Sequence, residues 1–105
     1  MHILVVLEDD YRAYRETIGA GLRILRTGCQ VEAAALEALE EEVERFEPKV
    51  VICSGHKTVD SGGRPAWIEL SLDPTSPTKI SVGGRYLERT NPTLEELLEV
   101  IDEVE

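Results

Sequence analysis

One segment constrains this chain more than any other: Lys49-Val50-Val51-Ile52-Cys53-Ser54, bounded by Pro48 and Gly55. It holds four consecutive apolar residues, three of them β-branched, and offers no polar face to water. A strand of that kind must be covered on both sides, which is the situation of an interior strand in a parallel α/β sheet. Open α/β sheets bind ligands at the carboxyl ends of such strands. Attention therefore falls on Cys53, Ser54, Gly55 and His56.

The rest of the composition narrows the class. A chain of 105 residues with 42% apolar residues is sized for one domain with a real core. No apolar run approaches the ~20 residues of a membrane span, so no membrane partner is expected. The opening run 3–7 meets Glu8-Asp9-Asp10 without a basic segment or cleavage site, and a cytoplasmic location is the expectation. In that compartment Cys29 and Cys53 read as small buried hydrophobes rather than a disulfide. Two Cys and two His, scattered as here, do not supply the about four ligands of a zinc centre. With 21 acids against 11 bases the net charge is −10, which repels a phosphate backbone, so no nucleic-acid partner is expected. A basic protein is the partner that this charge suits.

Along the chain, residues 2–7 form a first strand. An aspartate of Glu8-Asp9-Asp10 is placed to cap the helix that follows. That helix carries Tyr11, Tyr14, Ile18, Leu22 and Leu25 at spacings of three and four, with Arg12, Arg15, Arg23 and Arg26 off the stripe. Gly19 and Gly21 weaken it, and close packing on the sheet is the expected reason. Gly28 suits a left-handed helix terminus, so the helix should end near Thr27. A modest strand at 29–34, a glutamate-rich helix at 36–47 and the 49–54 strand complete a βαβαβ unit. Residues 54–65 read as a long loop. Ala66, Ile68, Leu70 and Leu72 then alternate with polar residues and Trp67, and Lys79-Ile80-Ser81-Val82 alternates likewise. The turn at 73–77 is too short for a parallel crossover, so these two strands should form an antiparallel hairpin at the sheet edge. Gly83-Gly84 suggests a bulge or bend, after which Tyr86 and Leu87 resume the strand. Thr93 and Glu96 make a capping box for a last helix striped by Leu94, Leu97, Leu98, Ile101 and Val104. Its acidic last turn is expected to fray. The fold class expected is therefore α/β in three layers: a βαβαβ parallel core, an antiparallel edge hairpin and a C-terminal helix.

These residues resemble the receiver domain of bacterial response regulators. Ile3-Leu4-Val5-Val6-Leu7-Glu8-Asp9-Asp10 looks like that family's first strand and acidic pair, and Val31-Glu32-Ala33-Ala34 with Pro48-Lys49-Val50-Val51 looks like its second and third strands. Pro92-Thr93-Leu94-Glu95-Glu96 looks like its approach to the last helix. The resemblance covers about residues 2–54 and 86–104. Where the family carries a phosphoacceptor aspartate this chain has Ser54, and Val82, Gly83 and Gly84 stand where the family places a lysine. The third and fourth helices have no counterpart. Phosphotransfer needs a carboxylate nucleophile, a Mg²⁺ held by acids and a cation on the phosphoryl oxygens. The resemblance thus implies a receiver-like domain that is not phosphorylated and acts by protein–protein interaction in signalling or regulation.

Other sites stay open. Glu8, Asp9 and Asp10 are candidate Mg²⁺ ligands, the plainer explanation being helix capping. Cys53 and His56 are a candidate nucleophile and base, which would make the chain a small enzyme; a buried cysteine beside a loop histidine is the plainer explanation. Ser54, Gly55, His56, Lys57, Thr58 and Arg64 could cradle an anion or phosphorylated ligand, although their spacing matches no phosphate loop. Trp67, Ile80 and Tyr86 on the hairpin are the candidate interface of a homodimer.

Overall fold

The computed structural model describes residues 1–54, 66–71 and 75–104, apart from the Asp9 side chain. Within them run β1 (His2–Leu7), α1 (Arg12–Leu25), β2 (Gln30–Ala35), α2 (Leu39–Phe46), β3 (Val50–Ser54), β4 (Ala66–Leu70), β5 (Pro77–Val82), β6 (Arg85–Thr90) and α3 (Leu94–Val104). The strands form one sheet in the order β2-β1-β3-β4-β5-β6. β1 pairs parallel with β2 on one side and with β3 on the other, and β4 joins β3 in parallel. β5 and β6 then add antiparallel.

The strand pleat sends alternate side chains to two separate cores. On one face Ile3, Val5, Ile52, Ile68, Ile80 and Val82 pack beneath Ile18 and Leu22 of α1 and Leu97 and Ile101 of α3. On the other, Leu4, Val6, Val51, Cys53 and Trp67 pack with Leu39 and Val43 of α2. The sheet therefore lies between helical layers, as expected for a three-layer α/β fold. β3 is buried along its whole length, as its apolar run requires. Removing a side chain such as Ile52 from such a setting costs ~2–5 kcal/mol.

Several local expectations are corrected. β4 is interior, not an edge strand, and the antiparallel part of the sheet is a three-strand meander, β4-β5-β6. Gly83 and Gly84 have φ of 55° and 80° and link Val82 directly to Arg85. They form the two-residue turn whose positive φ values match strand twist, so the chain reverses into a separate strand, β6, rather than resuming β5 after a bulge or bend. The helix α1 ends at Leu25, with the Arg26 N–H donating to the Leu22 carbonyl, and Gly28 does not take a left-handed φ. At its start a short 3-10 turn, Asp9–Tyr11, intervenes, so Tyr11 rather than an aspartate precedes the helix and no side chain caps it. A Cβ on Gly21 would come within 2.9 Å of the Leu94 Cδ2, so that glycine serves the contact of α1 with α3 rather than with the sheet.

The last helix behaves as its capping box requires. The Glu96 N–H donates to the Thr93 Oγ1 at 3.2 Å, and the Thr93 N–H donates to the Glu96 carboxylate at 3.2 Å. The described part of its final turn is helical through Val104. The acids there are held from outside: Arg26 donates to both Asp102 carboxylate oxygens, at 2.8 and 2.6 Å, and Arg85 pairs with Glu103.

Candidate functional site

The chain leaves β1 toward β2 on one side of the sheet and returns past β1 to β3 on the other. The direction of winding reverses between β1 and β3, and ligands of open α/β sheets bind at such a reversal. Val6 lies opposite Cys53 there, so the residues that follow, Leu7, Glu8 and Ser54, form the rim.

Several backbone and side-chain groups at that rim are tied to one another. The backbone N–H of Glu8 donates to the Ser54 Oγ at 2.9 Å, which ties the ends of β1 and β3 together. Ser54 is only 4% exposed. The Glu8 carbonyl accepts the Tyr11 N–H at 2.9 Å, closing the 3-10 turn. From the first turn of α1, Arg15 reaches back, and its Nη1 donates to the carbonyls of Leu7 and Ala34 at 3.2 and 3.1 Å. Sequence reasoning set Arg15 among the residues off the apolar stripe. The available signal was its place one turn into the helix that follows the first strand, where a long cation can fold back over the strand ends.

Cys53 points into the α2-side core and is 3% exposed. Burial, with Glu69 on the neighbouring strand adding like-charge repulsion, pushes its thiol up to about 12. A hydrogen bond from Trp67 opposes this only in part. A nucleophilic cysteine needs a depressed pKa in an electropositive setting, and Cys53 has the reverse.

Of the candidate metal ligands, Glu8 is half-buried at the end of β1 and Asp10 is exposed, while the Asp9 side chain lies outside the described part. Among the described residues no three His, Cys, Asp or Glu side chains converge as ligands. Gly55, His56, Lys57, Thr58 and Arg64 also lie outside the described residues, so the structure brings only Ser54 of the candidate anion site to the rim. The other histidine, His2, stacks on Phe46 with ring centroids 4.4 Å apart, and its Nδ1 lies 2.8 Å from the Phe46 carbonyl. It closes the opposite end of the sheet.

The three candidate interface residues separate. Trp67 is 8% exposed and belongs to the α2-side core, and Ile80 is buried in the other core, so neither is a surface residue of the chain. Alternation along β4 left Trp67 on the opposite face from Ile68, but it did not show that this face is covered. Tyr86 is 62% exposed on β6, its hydroxyl donating to Glu88 at 2.8 Å, a bond that raises its pKa.

Fold and rim together define a three-layer α/β domain on a mixed six-stranded sheet, with a polar reversal point between its first and third strands. No protein-family model matches the chain, and no curated protein or solved structure matches it. Among the described residues no helix is long and apolar enough to cross a membrane.

Proposed function

We propose that this chain is a non-catalytic, receiver-like docking domain that acts through protein–protein contact in signalling or regulation. The observation that carries the reading is the Ser54–Glu8 bond. At the place where phosphotransfer would need a free carboxylate, the side chain is a buried hydroxyl already engaged in joining two strand ends. Cys53 beside it stays protonated and gives the rim no thiolate. The net charge of −10 favours a basic protein surface as the partner. Exposure to acetyl phosphate, or to beryllofluoride with Mg²⁺, should leave both the mass and the amide NMR spectrum unchanged. Specific shifts at the Glu8 and Ser54 amides would overturn the reading.

A second reading has its own support. The Arg15 guanidinium brings positive charge to the ends of β1 and β2, beside the reversal point, where a small anion or phosphorylated ligand would be bound by the residues after β3. A thermal-shift screen of nucleotides and phosphorylated metabolites tests it, and a flat response across the screen ends it.

A further inference from the structure

The sheet has two edges, and they are treated differently. Along β2, Arg23 donates to the Val31 carbonyl at 3.0 Å and Arg15 to the Ala34 carbonyl at 3.1 Å. Both α1 and α2 pack against that strand. Along β6, every residue but Leu87 is exposed, and Leu87 is half-buried. Among the described residues no side chain hydrogen-bonds to the β6 backbone, and the strand contains no proline or bulge. An edge of six residues left open in this way is a template for another strand.

We propose that β6 is a self-association edge: two copies of this chain pair their β6 strands antiparallel, centred on Leu87, into one continuous sheet. The hairpin fixes the geometry. Val82 and Arg85 face each other across a two-residue turn and exchange backbone hydrogen bonds, after which bonded and non-bonded pairs alternate. Arg85, Leu87 and Arg89 therefore bond inward to β5. Tyr86, Glu88 and Thr90 direct their N–H and C=O groups to the open edge.

A two-fold axis perpendicular to the sheet preserves its faces, so the outward-bonding residues must pair with one another. Centring the axis on Leu87 sets Tyr86 opposite Glu88 of the partner subunit, and Glu88 opposite the partner's Tyr86. Each such pair exchanges backbone bonds and places a phenol against a carboxylate. Leu87 then meets the partner's Leu87 in a close, non-bonded pair. The next register, centred on Glu88, sets two carboxylates face to face, which disfavours it.

Two further features suit this arrangement. A trough of about 300 Å³ runs between β6 and α3, with Ile80, Leu87 and Val100 lining it beside Arg89 and the carboxylates of Glu96 and Glu99. The second copy's Leu87 adds apolar contact along its open side. Arg85 comes opposite Arg89 of the partner subunit, and the glutamates of α3, one of which already pairs with Arg85, offset that repulsion. The chain as a whole carries −10, so copies repel unless they meet where the local charge is not negative. β6 itself carries two arginines against one glutamate. Screening the remaining repulsion makes association stronger as salt is added.

This inference goes beyond the docking reading and does not depend on it, since the test below reads mass and the earlier one reads amide shifts at the rim. Sedimentation equilibrium of the full chain should show twice the 11.7 kDa chain mass as concentration rises. Tyr86→Glu, which faces Glu88 with a second carboxylate, and Glu88→Pro, which deletes an outward N–H but no bond to β5, should each weaken association by ~tenfold or more. Tyr86→Lys should retain it, because the cation faces Glu88. Circular dichroism checks that the variants fold, and Tyr86→Glu decides alone should the proline variant not fold. A wild-type chain that stays monomeric overturns the proposal, as does a dimer indifferent to Tyr86→Glu. Dissociation of the Tyr86→Lys dimer overturns the register.

Discussion

Cys53 shows how one residue changes meaning between the sequence and the folded chain. Beside Ser54 and His56 it reads as a candidate nucleophile; in the structure it fills the α2-side core and holds its proton. The titration has a consequence for stability. The thiol moves from its ordinary 9.0 to about 12 on folding, so the folded form disfavours the thiolate. For a group raised in this way, stability is fully present below pH 9 and is lost progressively as the pH rises toward 12. Denaturant titrations from neutral pH upward should show that loss in the wild type, and Cys53→Ala should remove this part of the slope. An identical alkaline slope in both proteins would contradict the assignment. Ser54 makes the complementary case: its role is a bond to the Glu8 amide, which no motif reveals because the partner lies far away in the chain.

Two elements depend on features that can be tested separately. The β5–β6 hairpin needs positive φ at both Gly83 and Gly84. Alanine at either position should cost ~1–2 kcal/mol, from the steric penalty of a Cβ in the left-handed region. Asparagine at Gly83 should be tolerated much better. Chemical denaturation of the three variants measures both. The C-terminal turn of α3 depends on charge. The hydrogen bond from Arg26, reinforced by its positive charge, holds the Asp102 carboxyl below the usual carboxylate range. A depressed carboxylate contributes stability above its unfolded pKa and loses it as pH falls through the folded one. Amide protection factors in the last turn of α3, which correct for the intrinsic pH dependence of exchange, should fall on acidification, and Arg26→Ala should lower them at neutral pH. At the other end of the helix, Thr93 and Glu96 close their box within a single turn of chain, which is why local spacing is enough to reveal that cap.

At the scale of the molecule, six strands are shared between two unequal coverings. Helices α1 and α3 cover one face, while α2 covers the other mainly over β1 and β2. Beyond α2, β5 and β6 present Lys79, Tyr86 and Glu88 on that second face, all exposed. The meander thus ends at a strand that is open both at its edge and on one side. The self-association proposed for β6 belongs to this scale, because it follows from strand order rather than from any single side chain.

What the sequence determined by itself were the features set by neighbours within a few residues. The apolar run of β3, the stripes of α2 and α3, the capping box and the short β4–β5 connection all follow from local periodicity and hydrogen bonding, and each is present in the structure. Of the expected α1 stripe only Ile18 and Leu22 are buried, while Tyr11, Tyr14 and Leu25 are exposed. Tertiary structure alone decided where β4 lies in the sheet, that Trp67 is inside rather than at an edge, that Ser54 ties the end of β3 to that of β1, and that Arg15 is spent on the ends of β1 and β2. It also decided that the acids ending α3 find arginines just past α1 and on β6. These outcomes depend on which surfaces meet after the chain has crossed the sheet. Alternation along a strand specifies two faces, but it carries no record of what will cover either one.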